Sequence, residues 1–187
     1  MENYSNRLLD EKIKKKLKST GGILLKGVRF CGKTTTALHH AASSVRFDKS
    51  EVLREQASIA PQIVLQGETP RLLDEWQLVP SIWNAVRAEI DERAAKGQFI
   101  LTGSASPSND LSTHTGAGRI ARLTLRTMSL SESNNSIKAV KFNDLFSKNT
   151  EIGGLGGAEL IDYANLIVRG RITCVENTYS FRCTTAS

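Results

Sequence analysis

Eight residues constrain this chain more than any others: Gly27-Val28-Arg29-Phe30-Cys31-Gly32-Lys33-Thr34. The pattern is G-x-x-x-x-G-K-T, which is the phosphate-binding P-loop when it joins a buried strand to a helix. Both flanks fit. Ile23-Leu24-Leu25 precedes it as a short apolar run, and Thr35 to Ala42 follows with Leu38, Ala41 and Ala42 at helical spacing. Glycines at the two ends let the loop curl so that backbone N–H groups converge on an anion at the helix N-terminus. Gly27, Val28, Arg29, Phe30, Cys31, Gly32, Lys33, Thr34 and Thr35 are therefore the candidate nucleotide-binding residues. Lys33 is expected to supply charge for the β- and γ-phosphates, and Thr34 a hydroxyl for Mg²⁺.

A second motif lies 41 residues beyond Lys33, in Pro70-Arg71-Leu72-Leu73-Asp74-Glu75. A short apolar run closing on two carboxylates reads as a buried parallel strand whose C-terminal end faces ligand. Asp74 is the expected Mg²⁺ ligand, acting through water. Glu75 is the expected general base that polarises the attacking water. A third strand, Gln98 to Ser104, ends in hydroxyls. Thr102 and Ser104 are both candidates to contact the γ-phosphate or the water, and strand alternation puts them on one face without choosing between them. The adjacent glutamate favours an ATPase, and no Asn-Lys-x-Asp guanine reader occurs in the sequence.

The rest of the chain adds weaker signals. Arg7 to Leu17 is expected to be an amphipathic helix, with Leu8, Leu9, Ile13 and Leu17 on one face. Its other face carries Lys12, Lys14, Lys15, Lys16 and Lys18, a possible nucleic-acid contact set against the plainer reading of a solvated face. A net charge of +6 allows acidic partners without specifying one. Val45 to Phe47 is a strand candidate, Asp48 to Ala60 a helix. Gln62 to Leu65 is either a strand or the end of that helix. Pro80 to Ala95 is a helix with Ile82, Val86 and Ile90 inward and Trp83 in the core. Ile120 to Leu125 alternates like a strand, so Gly116-Ala117-Gly118 with Ala121 is rejected as a dinucleotide fingerprint. Among Arg119, Arg122 and Arg126, Arg119 is the leading candidate for an arginine finger, in cis or from a neighbouring subunit.

With 40% hydrophobic and 24% charged residues the chain has the composition of a globular protein. No apolar run approaches the roughly 20 residues of a membrane span, and no apolar signal core follows Met1. Three unpaired-looking cysteines, Cys31, Cys174 and Cys183, suit a reducing cytoplasm.

Together the motifs resemble a prokaryotic family of AAA-like ATP-binding proteins whose ATPase half precedes a C-terminal domain of unknown function. The resemblance rests on Lys26-Gly27 through Thr36, on Gly67 through Gln77 with its Asp-Glu-x-Gln, on Phe99 through Ser104, and on Gly116 through Leu130. It covers roughly residues 4 to 170. It implies the Walker A role for Lys33 and Thr34, Walker B for Asp74 and Glu75, and a sensor role at Thr102 or Ser104. Thr127 stands where the family usually has proline. After Arg169-Gly170 the family's Arg-Gly-Gly-aromatic-Pro turn gives way to Arg171-Ile172-Thr173-Cys174, and the C-terminal domain is missing.

The expectation is thus an α/β, three-layer P-loop NTPase fold with a mostly parallel central sheet. Residues 1–130 form the ATPase domain, 131–170 a linker and short helical segment, and 171–187 a divergent, poorly ordered tail. Its expected partners are ATP with Mg²⁺, and a second copy of the chain in a homo-oligomer. The expected activity is ATP hydrolysis. The alternative is a nucleic-acid-binding or regulatory module that uses ATP as a structural switch.

Overall fold

In the computed structural model, the described residues are 4–103 and 118–133, with isolated positions 146, 161 and 164. Five strands are described: β1 (Gly22–Lys26), β2 (Ser43–Arg46), β3 (Arg71–Asp74), β4 (Phe99–Gly103) and β5 (Ile120–Thr124). They form one all-parallel sheet in the order β2-β3-β4-β1-β5. Strands buried on both faces read as continuous apolar runs, and Ile23-Leu24-Leu25 and Phe99-Ile100-Leu101 are 0–1% exposed.

Period-2 alternation assigns the two faces. Leu24, Leu73, Phe99 and Leu101 pack with Trp83, Val86 and Ile90 of α5 (Ser81–Arg93) and with Ala57 and Val64, from α3 (Glu51–Ile59) and α4 (Pro61–Leu65). Ile23, Leu25, Leu72, Ile100 and Leu123 face the other way, onto Ile13 of α1 (Asp10–Ser19) and Ala37 of α2 (Lys33–His40). The result is the three-layer α/β architecture expected from sequence.

Several boundaries differ from the sequence expectation. The β2 strand starts earlier, at Ser43, because the Cα pairing with β3 runs from Ser43↔Arg71 to Arg46↔Asp74. The helix over 48–60 begins later, where Ser50 caps α3 by accepting from Leu53 N at 3.2 Å. Residues 62–65 are helical, set off by Pro61 at the first position of α4. The first helix begins at Asp10, so Arg7 and Leu8 lie outside it, and Leu8 is 76% exposed instead of joining the apolar face. Lys12, Lys14, Lys15 and Lys18 are exposed and Lys16 half-buried. No described helix is long and apolar enough to cross a membrane.

The segment ahead of α1 is held by side chains. The Asp10 carboxylate accepts from Tyr4 OH at 2.8 Å and from Arg7 N at 2.7 Å, and pairs with His40 Nε2 at 2.9 Å, while the Tyr4 ring stacks on His39. At the other end of the described fold, 129–133 is a turn fastened to the segment ahead of α1, although the expected linker begins at 131. Ser129 N and Oγ donate to Glu132 Oε2 at 2.7 and 2.9 Å. Glu132 Oε1 accepts from Leu8 N at 2.8 Å and Arg7 Nε at 3.0 Å. Residues 129–133 are thereby tied to the segment ahead of α1. The segments expected as a linker helix and tail fall outside the described residues, apart from 146, 161 and 164.

Burial alone would raise the Glu132 carboxyl, but bonds from Ser129, Leu8 and Arg7 outweigh it and take it down to about 2. A folded value below the unfolded one gives stability that is present above about pH 4.5 and lost as pH falls towards 2. Urea unfolding of Glu132→Gln should show a lower midpoint at pH 7 and a flatter profile between about pH 4.5 and 2. Identical profiles for parent and variant would remove Glu132 from the acid response.

Candidate active site

The C-terminal ends of β1, β3 and β4 meet at one edge of the sheet, where ligands bind in open parallel folds. The loop from Gly27 to Gly32 leaves β1 there and enters α2. Two positions require glycine. A Cβ on Gly27 would lie 2.3 Å from Leu125 O and 2.8 Å from Cys31 Sγ, and Gly32 caps α2 at φ 91°. Phe30 takes a left-handed φ of 63° and leaves its ring half exposed, beneath the Arg29 guanidinium at 4.9 Å. Cys31 is fully buried, and its thiol lies 3.5 Å from Leu125 O. The aliphatic stem of Lys33 is buried, and its ammonium donates to Gly27 O at 3.0 Å and Val28 O at 2.8 Å. Thr35 is exposed on the first turn of α2.

Alternation brings the rest of the set together. Leu72 and Ile100 face α2, so Asp74 and Thr102, two residues on from each, face it too. Thr34 Oγ1 donates to the Asp74 carboxylate at 2.9 and 3.1 Å. Thr102 Oγ1 donates to Asp74 Oδ1 and accepts from Glu75 N. Asp74 is 1% exposed and Thr102 0%. The sensor candidate on β4 with a described position is therefore in contact with Asp74, whereas Ser104 lies outside the described residues.

Glu75 breaks the strand. Its φ of 55° is left-handed, an uncommon state for a non-glycine residue and one that concentrates at functional sites. The backbone turn swings the Glu75 carboxylate onto Gln77 Nε2, which donates to it from the 3₁₀ turn Trp76–Leu78. Gln77 Oε1 is buried with no hydrogen-bond partner among the described residues. Trp76 is buried against Trp83, ring centres 5.2 Å apart, so it sits between the site and the core.

One participant has no counterpart in the sequence reading. Arg46, at the end of β2, lies 3.4 Å through Nε from Asp74 Oδ2 and 3.5 Å through Nη2 from Asp48. The pairing of Arg46 with Asp74 across the sheet puts it there. The alternation of β2 was its only sequence signal, and that strand's register was not legible without its partner.

Arg119 is placed elsewhere. Its carbonyl accepts from Gly22 N at the start of β1, and its guanidinium is held by Asp91 on α5. The P-loop leaves the opposite end of β1, a strand of five residues spanning roughly 15 Å. Within one chain Arg119 therefore cannot act as the finger. Register accounts for this placement: a parallel β5 beginning at Ile120 starts at the far edge, which removes the in-cis finger and leaves the one from a neighbouring subunit untouched. Arg126, after β5, emerges at the P-loop edge and is exposed.

The donor set suits a hard cation bound to phosphate. A buried carboxylate and a hydroxyl lie within hydrogen-bonding distance, both oxygen ligands of the kind Mg²⁺ takes, although Asp74 also faces the Arg46 guanidinium. Among the described residues the Lys33 ammonium donates to two neutral carbonyls, those of Gly27 and Val28. A family model described as an AAA domain matches residues 19–134, well over half of the chain. No curated protein matches it.

Proposed function

The chain belongs to the AAA domain family, and on that premise we propose that it binds ATP with Mg²⁺ and hydrolyses it to ADP and phosphate. The observation that carries this reading is the convergence of Lys33, Thr34, Asp74 and Thr102 at the mouth of the glycine-bounded loop. Residues 27–35 bind the phosphates: loop amides donate to them, and Lys33 turns from the Gly27 and Val28 carbonyls to the β/γ oxygens. Thr34 and Asp74 would hold Mg²⁺, which would supply positive charge to offset the charge developing on the phosphates. Thr102 fixes the Asp74 carboxylate, so the acid is aimed before ligand arrives. Glu75 orients a water in line with the γ-phosphorus and accepts its proton, while the electrons of the breaking P–O bond pass to the ADP oxygen. For Glu75 to do so, its contact with Gln77 must open or rotate.

Calorimetric titration with Mg-ATP tests the binding half. Lys33→Ala keeps the loop amides but loses the cation, and affinity should fall at least about tenfold, roughly 1.4 kcal/mol. Unchanged affinity would remove the loop from the phosphate site. Release of phosphate from ATP by the purified chain tests the hydrolytic half.

A further inference from the structure

Arg7 lies ahead of α1 and outside the family match, yet its side chain is 4% exposed and reaches the P-loop. Its guanidinium serves three acceptors from three parts of the chain. Nη1 donates to Cys31 O at 3.0 Å, Nη2 to Arg126 O at 2.8 Å, and Nε to Glu132 Oε1 at 3.0 Å. Only the last is a charge. A buried ion pair is weak grounds for stability, since apolar replacements of similar volume are often as stable. What the planar fork supplies here is direction: five donors in fixed geometry can grip two carbonyls and a carboxylate at once.

The carbonyl of Cys31 belongs to the peptide that leads into Gly32, the cap of α2. A trans peptide carries its C=O and N–H on opposite sides. Holding the Cys31 carbonyl towards Arg7 therefore holds the Gly32 N–H away from Arg7. The loop binds phosphate only if its N–H groups, and not its carbonyls, face the anion. Gly32 on one side of this peptide lowers the cost of a flip, so an external anchor on the Cys31 carbonyl matters. We infer that Arg7 is a positioning residue for phosphate binding, which fixes the Cys31–Gly32 peptide through the Cys31 carbonyl. The inference rests on the nucleotide reading above.

Linkage adds a second consequence. If the grip favours the binding-competent loop, then bound nucleotide must tighten the grip by the same factor. The amides of Leu8 and Ser129 report on it, because both donate to the Glu132 carboxylate that pairs with Arg7. Nucleotide at the P-loop is thereby coupled to the segment ahead of α1 and to the turn that follows β5.

The test compares the parent chain with Arg7→Lys and with the double variant Arg7→Met/Glu132→Leu, by ATP calorimetry, melting temperature and hydrogen exchange. The double variant leaves no unpaired buried charge but orphans the Leu8 and Ser129 amides, so its melting temperature should fall; its ATP affinity, measured well below that temperature, should be about tenfold weaker. Arg7→Lys keeps the charge opposite Glu132, but one ammonium cannot span the two carbonyls as well, so affinity should fall similarly. It carries the same test should the double variant not fold. Saturating ATP should slow exchange at Leu8 and Ser129 in the parent and not in Arg7→Lys. Parent-like ATP affinity in either folded variant, or exchange at those amides that ignores ATP in the parent, would overturn the inference alone. A parent that binds no ATP would overturn the nucleotide reading with it.

Discussion

Replacing Glu75 by glutamine should lower ATP turnover by about 10²–10⁴-fold while ATP stays bound, the usual range for loss of a general base. The amide keeps the size of the carboxylate and can still sit at a left-handed φ of 55°, so the backbone turn after β3 is retained. The proposed phosphate and metal contacts belong to residues 27–35 and Asp74, none of which is touched. What is lost is the acceptor for the water proton. The carboxylate that accepts from Gln77 Nε2 would also be replaced by an amide able to turn either end towards Gln77. Single-turnover phosphate release, measured beside ATP calorimetry, separates the two effects. Loss of turnover with unchanged affinity supports the assignment. An unchanged rate removes Glu75 from the proton transfer, and loss of binding makes it a structural residue.

The second large effect falls on the sheet. Leu101→Ala should destabilise the fold by about 2–5 kcal/mol, the range for truncating a fully buried leucine. Leu101 is 0% exposed on β4, the strand between β3 and β1, and is registered with Leu73 on one side and Leu24 on the other. Three leucines abreast cannot collapse into a cavity without moving strands that also carry Asp74 and the P-loop. The melting temperature should drop on the order of 10 °C. Nucleotide affinity should weaken as well, because Thr102 is the next residue and holds Asp74. Calorimetric unfolding with and without Mg-ATP measures both. A shift of a degree or two would show that the sheet repacks around the gap and that strand spacing is not critical to the site.

The P-loop, the strand closing on Asp74 and the strand carrying Thr102 were legible because each is a local pattern. An apolar run followed by glycine, carboxylate or hydroxyl needs no partner to be read. The loop at 27–34, the acid pair at 74–75 and the hydroxyl at 102 lie where those patterns end, at one edge of a parallel sheet. The turn at 129–133 was legible too, though composition masked it. Ser129-x-x-Glu132 has the reciprocal pattern of a capping box, with Ser129 N donating to Glu132 and Glu132 N to Ser129 Oγ.

The sequence by itself therefore determined the strands that end at the P-loop, Asp74 and Thr102 and the residue types at those ends. Only the tertiary structure decided which arginine stands where. Arg119, Arg122 and Arg126 recur along one stretch, and nothing local says which end of the sheet each occupies. The parallel register of β5 against β1 puts Arg119 beside Asp91 at the far edge and Arg126 beside the loop. Arg46 meets Asp74 because β2 pairs with β3, and Arg7 meets Cys31 across 24 residues and Glu132 across 125. Such contacts depend on strand order and chain return, which are set by burying two apolar faces at once. Periodicity reads one element at a time. The positions of charged side chains between elements follow only when the whole core closes.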